Sequence, residues 1–327
     1  MDLTGIKNTF LKIKDSRLTS MLLPFVWLVL LVLVFWIALG DKINSGNIGT
    51  VLTTVVEQTL IVATVATGAS FIYATGNVNI AMGAMTGLVA ALSMKMFEFT
   101  GSYPVMFITA VVSGVLLGVI AVLISSKLRV KVLYVTVVMM TLLLAIHQTV
   151  IGNTTISIDD MEPIYVMQDY YVHYLIFGVF FLVCVVIFNF TGIGRSIKFI
   201  GTNSDCSTAT GMVNDRYLMI AFIIAGVGAG LGAILTIMRT GSVGNNTAST
   251  LNMDVLLAIV LGGMSVFGGS KSYVYSALLG ALTVVVLNVG LQMMNVDSIW
   301  IQAVRGLLFL VLVVISQTRT GLLPEKD

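Results

Sequence analysis

Apolar runs follow one another along this chain at short intervals, each separated from the next by a brief polar or glycine-bearing stretch. Runs of about 18 or more apolar residues read as membrane-crossing helices. About ten such spans can be placed, at 21–39, 51–74, 77–94, 103–125, 131–151, 172–190, 215–238, 253–267, 272–292 and 298–317. Two are irregular. The third opens with "TGNVNIAMGAMTG" and the eighth runs "LNMDVLLAIVLGGMSVFGGS"; both are short, interrupted by glycine, and begin with amide or acid side chains. The turn before the third, "YATGN", carries no basic residue, which fits a re-entrant turn that stays short of the cytoplasm.

Loop charge orients the chain, because Lys and Arg are retained on the cytoplasmic side. With the N-terminus inside, the inner segments hold Lys7, Lys12, Lys14, Arg17, Lys127, Arg129, Lys131, Arg195, Lys198, Arg216, Lys271, Arg319 and Lys326, and the outer loops hold Lys42 and Lys95 alone. The longest outer loop, "GNTTISIDDMEPIYVMQDYYV", is acidic. The sequence therefore predicts an all-α polytopic membrane protein with both termini cytoplasmic: an N-terminal arm (1–20), one transmembrane domain (21–317) and a short tail (318–327). Ten spans divide as five plus five, so a repeat would be inverted. The third and eighth spans would then correspond, and such paired broken segments point to a midplane path. On that ground Asn77, Asn79, Asn252, Asp254 and Asn288 are the expected path residues. The glycine pairs of "GVLLG" (114–118) and "GVGAG" (226–230) read instead as faces for close helix packing.

Composition agrees with the pattern. Of 327 residues 57% are hydrophobic and 10% charged, where a soluble domain carries about 25% charged residues, and mean hydropathy is +1.03. The net charge of +2 gives no footprint for nucleic acid. Cys184 and Cys206 lie in different environments and offer neither a disulfide framework nor a metal site. Within the spans the ionisable residues are Glu57, His147, Arg239, Asp254 and Arg305, each expensive in hydrocarbon and so in need of a partner. Arg239 and Asp254 bracket one outer loop, where a structural salt bridge between them is expected at least as much as contact with a ligand; Arg305 needs a partner the sequence does not name. Hydrolase, metal and nucleotide motifs are missing. "GMSVFGGSKS" has the glycine spacing of a phosphate loop at Gly263 and Gly268, but Gly269 and Ser270 displace the lysine.

One polar island remains, "GRSIKFIGTNSDCSTATGM", within the inner loop 191–214. Together with "MDVLLAIVLGGMSVFGGSKS" and, more loosely, "VNIAMGAMTGLVAAL", it resembles the permease subunits of ribose-type bacterial ATP-binding-cassette sugar importers, in the branched-chain amino acid and ribose permease superfamily. The resemblance runs from Gly192 to the C-terminus and more weakly back to about Thr50, with Asp254, Leu261, Gly262, Gly263, Ser265, Gly268 and Gly269 in register. It implies a bacterial inner-membrane subunit without a nucleotide site. ATP and magnesium would sit on a separate ATPase, docked on a short helix of the island through Arg195, Gly201, Asn203, Ser204, Asp205, Ser207, Thr208 and Gly211. Asp205 is expected to cap that helix, and Gly83, Gly262, Gly263, Gly268 and Gly269 are expected to be structural. An extracytoplasmic sugar-binding protein and a second permease, identical or paralogous, complete the implied assembly. Asn79, Ala81 and Asn252 depart from the family pattern in the path, as do Ser204, Asp205 and Cys206 in the island. A nucleoside cargo, or an ion-coupled secondary carrier using His147 or Glu57, are the competing readings.

Overall fold

The computed structural model describes residues 25, 27–37, 48–152, 154–158, 170–265, 268–269 and 272–320. The arm 1–20, the start of the first span, most of the acidic outer loop, Lys271 and the last seven residues of the tail lie outside them. In chain order the elements are α1 (Trp27–Ile37), α2 (Ile48–Ala74), α3 (Met82–Thr100), α4 (Tyr103–Leu128), α5 (Val132–Ile151), β1 (Ile156–Ser157), α6 (Tyr170–Phe190), α7 (Gly192–Thr202), α8 (Ser204–Ala209), α9 (Asn214–Thr240), β2 (Ser242–Val243), α10 (Leu251–Leu261), α11 (Val274–Met293) and α12 (Ser298–Thr320).

Among the described residues, six helices (α2, α4, α5, α6, α9 and α11) are long and apolar enough to cross a membrane. The other expected spans differ from that form for visible reasons. α3 starts five residues later than the pattern suggested, after an extended stretch at 77–81, and its last turns carry Lys95 and Glu98, paired at 2.8 Å. The helix of the expected span 253–267 ends at Leu261, because a Gly-Gly pair follows and Gly263 takes the left-handed φ of +85°. Its 11 residues rise about 16 Å, roughly half of a hydrocarbon core of about 30 Å.

α9 runs through the middle of the bundle, packed on α4 and α2, while α11 also packs on α2. These approaches are close because the facing residues lack side chains. A Cβ on Gly114 would run into the carbonyl oxygen of Gly226, one on Gly118 into that of Phe222, and one on Gly230 into that of Ala110. The two small-residue motifs thus face each other, as their spacing suggested. Gly68 of α2 meets Ala225 and Gly228 of α9 in the same way, and Gly262 and Gly280 bring α10 against α11. α3 lies between α4, α5 and α9, and α10 between α11, α12, α2 and α3. Large residues fill the remaining core; Phe71 and Phe188 meet edge to face at 5.1 Å. Outward, Ile108 and Leu116 of α4 and Leu175 and Leu182 of α6 stand exposed, apolar surface suited to lipid rather than water.

At one end of the bundle β1 and β2 form a two-stranded antiparallel ladder, Ile156 opposite Val243 and Ser157 opposite Ser242. At the other, α7 lies against α2 and α9. It is amphipathic: Gly194, Ile197 and Ile200 are buried at the three-residue spacing of one helix face, while Arg195 and Phe199 are exposed. Lys198 Nζ sits 4.2 Å above the Phe188 ring, and burial lowers its pKa. The turn at Thr75–Gly76 lies at this same end of the bundle and abuts α7.

Candidate functional site

The two interrupted segments meet at their helix starts. Asn252, in the first turn of α10, accepts hydrogen bonds at Oδ1 from the backbone N–H groups of Gly83 (2.6 Å) and Ala84 (3.1 Å). It therefore caps α3 from another helix, satisfying two of the donors a helix start leaves open. Gly83 leaves the room: a Cβ there would strike Asn252 N and Oδ1. Asn79, almost wholly buried, accepts from Ala81 N–H at 2.9 Å and directs its amide nitrogen at Met82 Sδ, 3.2 Å away. Asn77 bonds Thr75 Oγ1 at 3.0 Å in the turn. These three amides shape the break in the helices and do not line the cavity that holds Asp254 and Asn288.

Asp254 and Asn288 do line a cavity, of about 210 Å³, with Arg305, Arg239, Gln58, Gln292, Thr236 and Thr250. It is built from the first turn of α10 and residues of α2, α9, α11 and α12. Arg305 Nε donates to Asn288 Oδ1 at 2.7 Å, Asn288 Nδ2 donates to Asp254 Oδ1 at 3.1 Å, and Arg305 Nη1 lies 3.4 Å from the same Asp254 oxygen. All three residues are at most 5% exposed. A buried charge is tolerable when paired and hydrogen-bonded, and this triad is the partner set that Arg305 required. The expected pairing of Arg239 with Asp254 does not occur. Arg239 instead meets Glu57 at 3.3 Å, both little more than a quarter exposed, because Glu57 of α2 faces the end of α9 while Asp254 turns toward α12.

The cavity therefore presents three amides, two hydroxyls and charges that are each matched by a partner. Such walls can donate and accept hydrogen bonds without surplus charge. Among the described residues no group of His, Cys, Asp and Glu could hold a metal ion. His147 is buried away from the cavity: Nε2 contacts the Gly244 carbonyl at 3.1 Å, so that nitrogen carries the proton, and Nδ1 faces Gly87 without a hydrogen-bond partner.

In the island, α8 is a single short exposed helix that follows α7 after Asn203 alone. Its cap is Asn203, not Asp205: Asn203 Oδ1 accepts from the N–H groups of Asp205 (3.0 Å) and Cys206 (2.9 Å), since Asn203 has the extended backbone that a cap requires and Asp205 is already helical. Ser207 is fully buried, its hydroxyl bonded to Ser204 O and Asn214 Oδ1, and so faces the bundle rather than a partner. Asn214 Nδ2 also reaches Thr208 Oγ1 at 3.1 Å, fastening α8 to the start of α9. Arg195, Ser204, Asp205, Thr208 and Gly211 are exposed, and Gly211 adopts φ +83°. Gly201 is half-buried under the turn after α2. Gly263, Gly268 and Gly269 take positive φ, and a Cβ on Gly83 or Gly262 would run into neighbouring backbone.

The profile described as "Branched-chain amino acid transport system / permease component" matches residues 51–313. A fructose import permease of Rhizobium meliloti is 27% identical over 308 residues, 90% of this chain and 84% of that protein. The ribose import permease of Escherichia coli K12 is 25% identical over 283 residues, covering 81% and 85%. The galactose/methyl galactoside import permease of Salmonella typhimurium LT2 is 24% identical over 318 residues, covering 90% and 93%. No solved structure matches.

Proposed function

The chain belongs to the family of branched-chain amino acid transport system permease components, and we propose that it forms the translocation path of an ATP-binding-cassette importer for a sugar: a pentose, hexose or related polyol. The observation that carries this reading is similarity over more than four fifths of the chain to permeases named for fructose, ribose and galactose. The cavity at Asp254, Asn288 and Arg305 is in keeping with it, since amides, hydroxyls and internally matched charges suit a neutral polyhydroxylated cargo held loosely. Selectivity would then reside in an extracytoplasmic binding protein.

The topology belongs to the same proposal. α1–α5 and α6 with α9–α12 form two halves of five, related by inversion in a bacterial inner membrane. Matched packing supports this: α4 lies on α9 as α11 lies on α2, α3 on α4 as α10 on α11, α3 on α9 as α10 on α2, and α3 on α5 as α10 on α12. Loop charge supports cytoplasmic termini, and the β1–β2 ladder joins two loops that charge assigns to the outside. α8 couples the path to a separate ATPase subunit that holds ATP and magnesium, and a second permease copy or a paralogue completes the path.

The test is gentle purification of the tagged chain from its own membranes. A stoichiometric ATPase, lost when α8 is altered, and sugar uptake that requires ATP are expected. A chain that purifies alone and accumulates solute on an ion gradient would overturn the reading.

A further inference from the structure

The glycines at the inner end of α10 and the last turn of α7 make a contact that the transport reading leaves unused. Gly201 lies so close to the end of α2 that a Cβ on it would collide with the Ala74 carbonyl and come within 2.8 Å of Gly269 N. Gly269 in turn donates its N–H to the same Ala74 oxygen at 3.3 Å. Gly268, at φ +74°, sits against Gly76 N and Tyr73 O, where no side chain would fit. Three backbones therefore converge: the end of α7, the turn that leads from α2 into α3, and the loop that leads from α10 into α11. They touch without intervening side chains, so a displacement of one cannot be absorbed by rotamer changes. α8 is held to this point by the Asn203 cap, and α7 cannot slide because Ile197 and Ile200 are buried in the bundle.

We propose that Gly201 is the positioning residue through which movement of α8 reaches both interrupted segments at once. The proposal rests on the importer reading, in which α8 receives the ATPase stroke, and adds the route the stroke takes. Pushing on α8 tilts the end of α7. Through Ala74 that shifts the turn carrying Asn77 and Asn79 at the start of α3; through Gly269 it shifts the loop after α10. Both half-helices move together because they share one fulcrum.

The experiment compares Gly201→Ala with Gly192→Ala in the complete importer, reconstituted in liposomes with its ATPase and loaded binding protein. Gly192 lies at the other end of α7, and a Cβ there meets nothing within 4 Å. Gly192→Ala is expected to match the wild type. Gly201→Ala is expected to retain the ATPase and hydrolyse ATP while sugar moved per ATP falls about tenfold. An assembled Gly201→Ala complex with wild-type uptake per ATP would overturn the junction. Absence of any ATPase from the wild-type preparation would instead overturn the importer reading and the junction with it. Should Gly201→Ala fail to assemble, hydrogen exchange on the wild-type complex decides. Binding of a non-hydrolysable ATP analogue is expected to alter exchange in the peptide carrying Gly269 and in 75–81 whenever it alters 203–211, and a change confined to 203–211 would refute the proposal.

Discussion

The two ends of α10 are held by opposite means. Its first turn is fixed by side chains: Asn252 caps α3, and Asp254 is bound into a buried network with Asn288 and Arg305. Its last turn is fixed by their absence, with Gly262 and Gly280 letting the α10 and α11 backbones touch and Gly268 and Gly269 turning the chain beneath α7. Side-chain networks can exchange partners, whereas backbone contacts can only move as a body. In the proposed importer, that difference would suit the first turn to meet cargo and the last to pass on a stroke.

The sharpest way to break this comparison is at the charged end. Arg305→Leu leaves Asp254 buried without its cation, which costs about 3–5 kcal/mol. The detergent-solubilised variant should unfold at a markedly lower temperature, and adding Asp254→Leu should restore much of the loss; a double variant no more stable than the single one would show that the pair is not the fastening. Next comes the glycine end. Gly280→Ala drives a methyl into the Ala258 carbonyl, and overpacking of this kind costs about 1–3 kcal/mol. Unlike the Arg305→Leu loss, this one should not be relieved by adding Asp254→Leu, and such a rescue would erase the distinction between the two ends. Asn252→Ala removes a cap and should cost about 1 kcal/mol, while Asn252→Asp, whose carboxylate accepts the same two N–H bonds, should cost less. If the aspartate variant is the worse of the two, the cap is not what Asn252 contributes. The smallest effect is expected from Glu57→Gln, since the partly exposed pair with Arg239 contributes about 1 kcal/mol or less. That difference should vanish in high salt, and persistence there would move this pair into the class of the Arg305 network.

What the sequence conveyed follows from the range of the interactions involved. Long apolar runs fix helices locally, so α2, α4, α5, α6, α9 and α11 were legible, and the spacing of Gly114, Gly118, Gly226 and Gly230 marked two packing faces that do meet. The breaks at 77–81 and after Leu261 were legible from glycine and asparagine. Long-range pairing was not. Arg305 finds Asn288 at 17 positions' distance and Glu57 finds Arg239 at 182, separations about which helical periodicity says nothing; proximity in sequence favoured Arg239 with Asp254, and topology overrode it. Asn203 was within reach, since it precedes a short helix and its residue type leads the N-cap preferences, yet Asp205 drew the attention by its charge. Gly201 was expected among the residues facing the ATPase, but nothing in the sequence signalled its closeness to Ala74 and Gly269, because that depends on the packing of two distant loops.

The trans cap at Asn252 also has an electrostatic meaning. It brings the starts of α3 and α10 together, and a helix start carries about half a unit of positive charge. Asp254, one turn into α10, thus sits in a field set by two helix ends as well as by a guanidinium. Its Oδ1 is shared by Asn288 and Arg305, so the acid nearest the cavity is well placed to hold the broken helices in register.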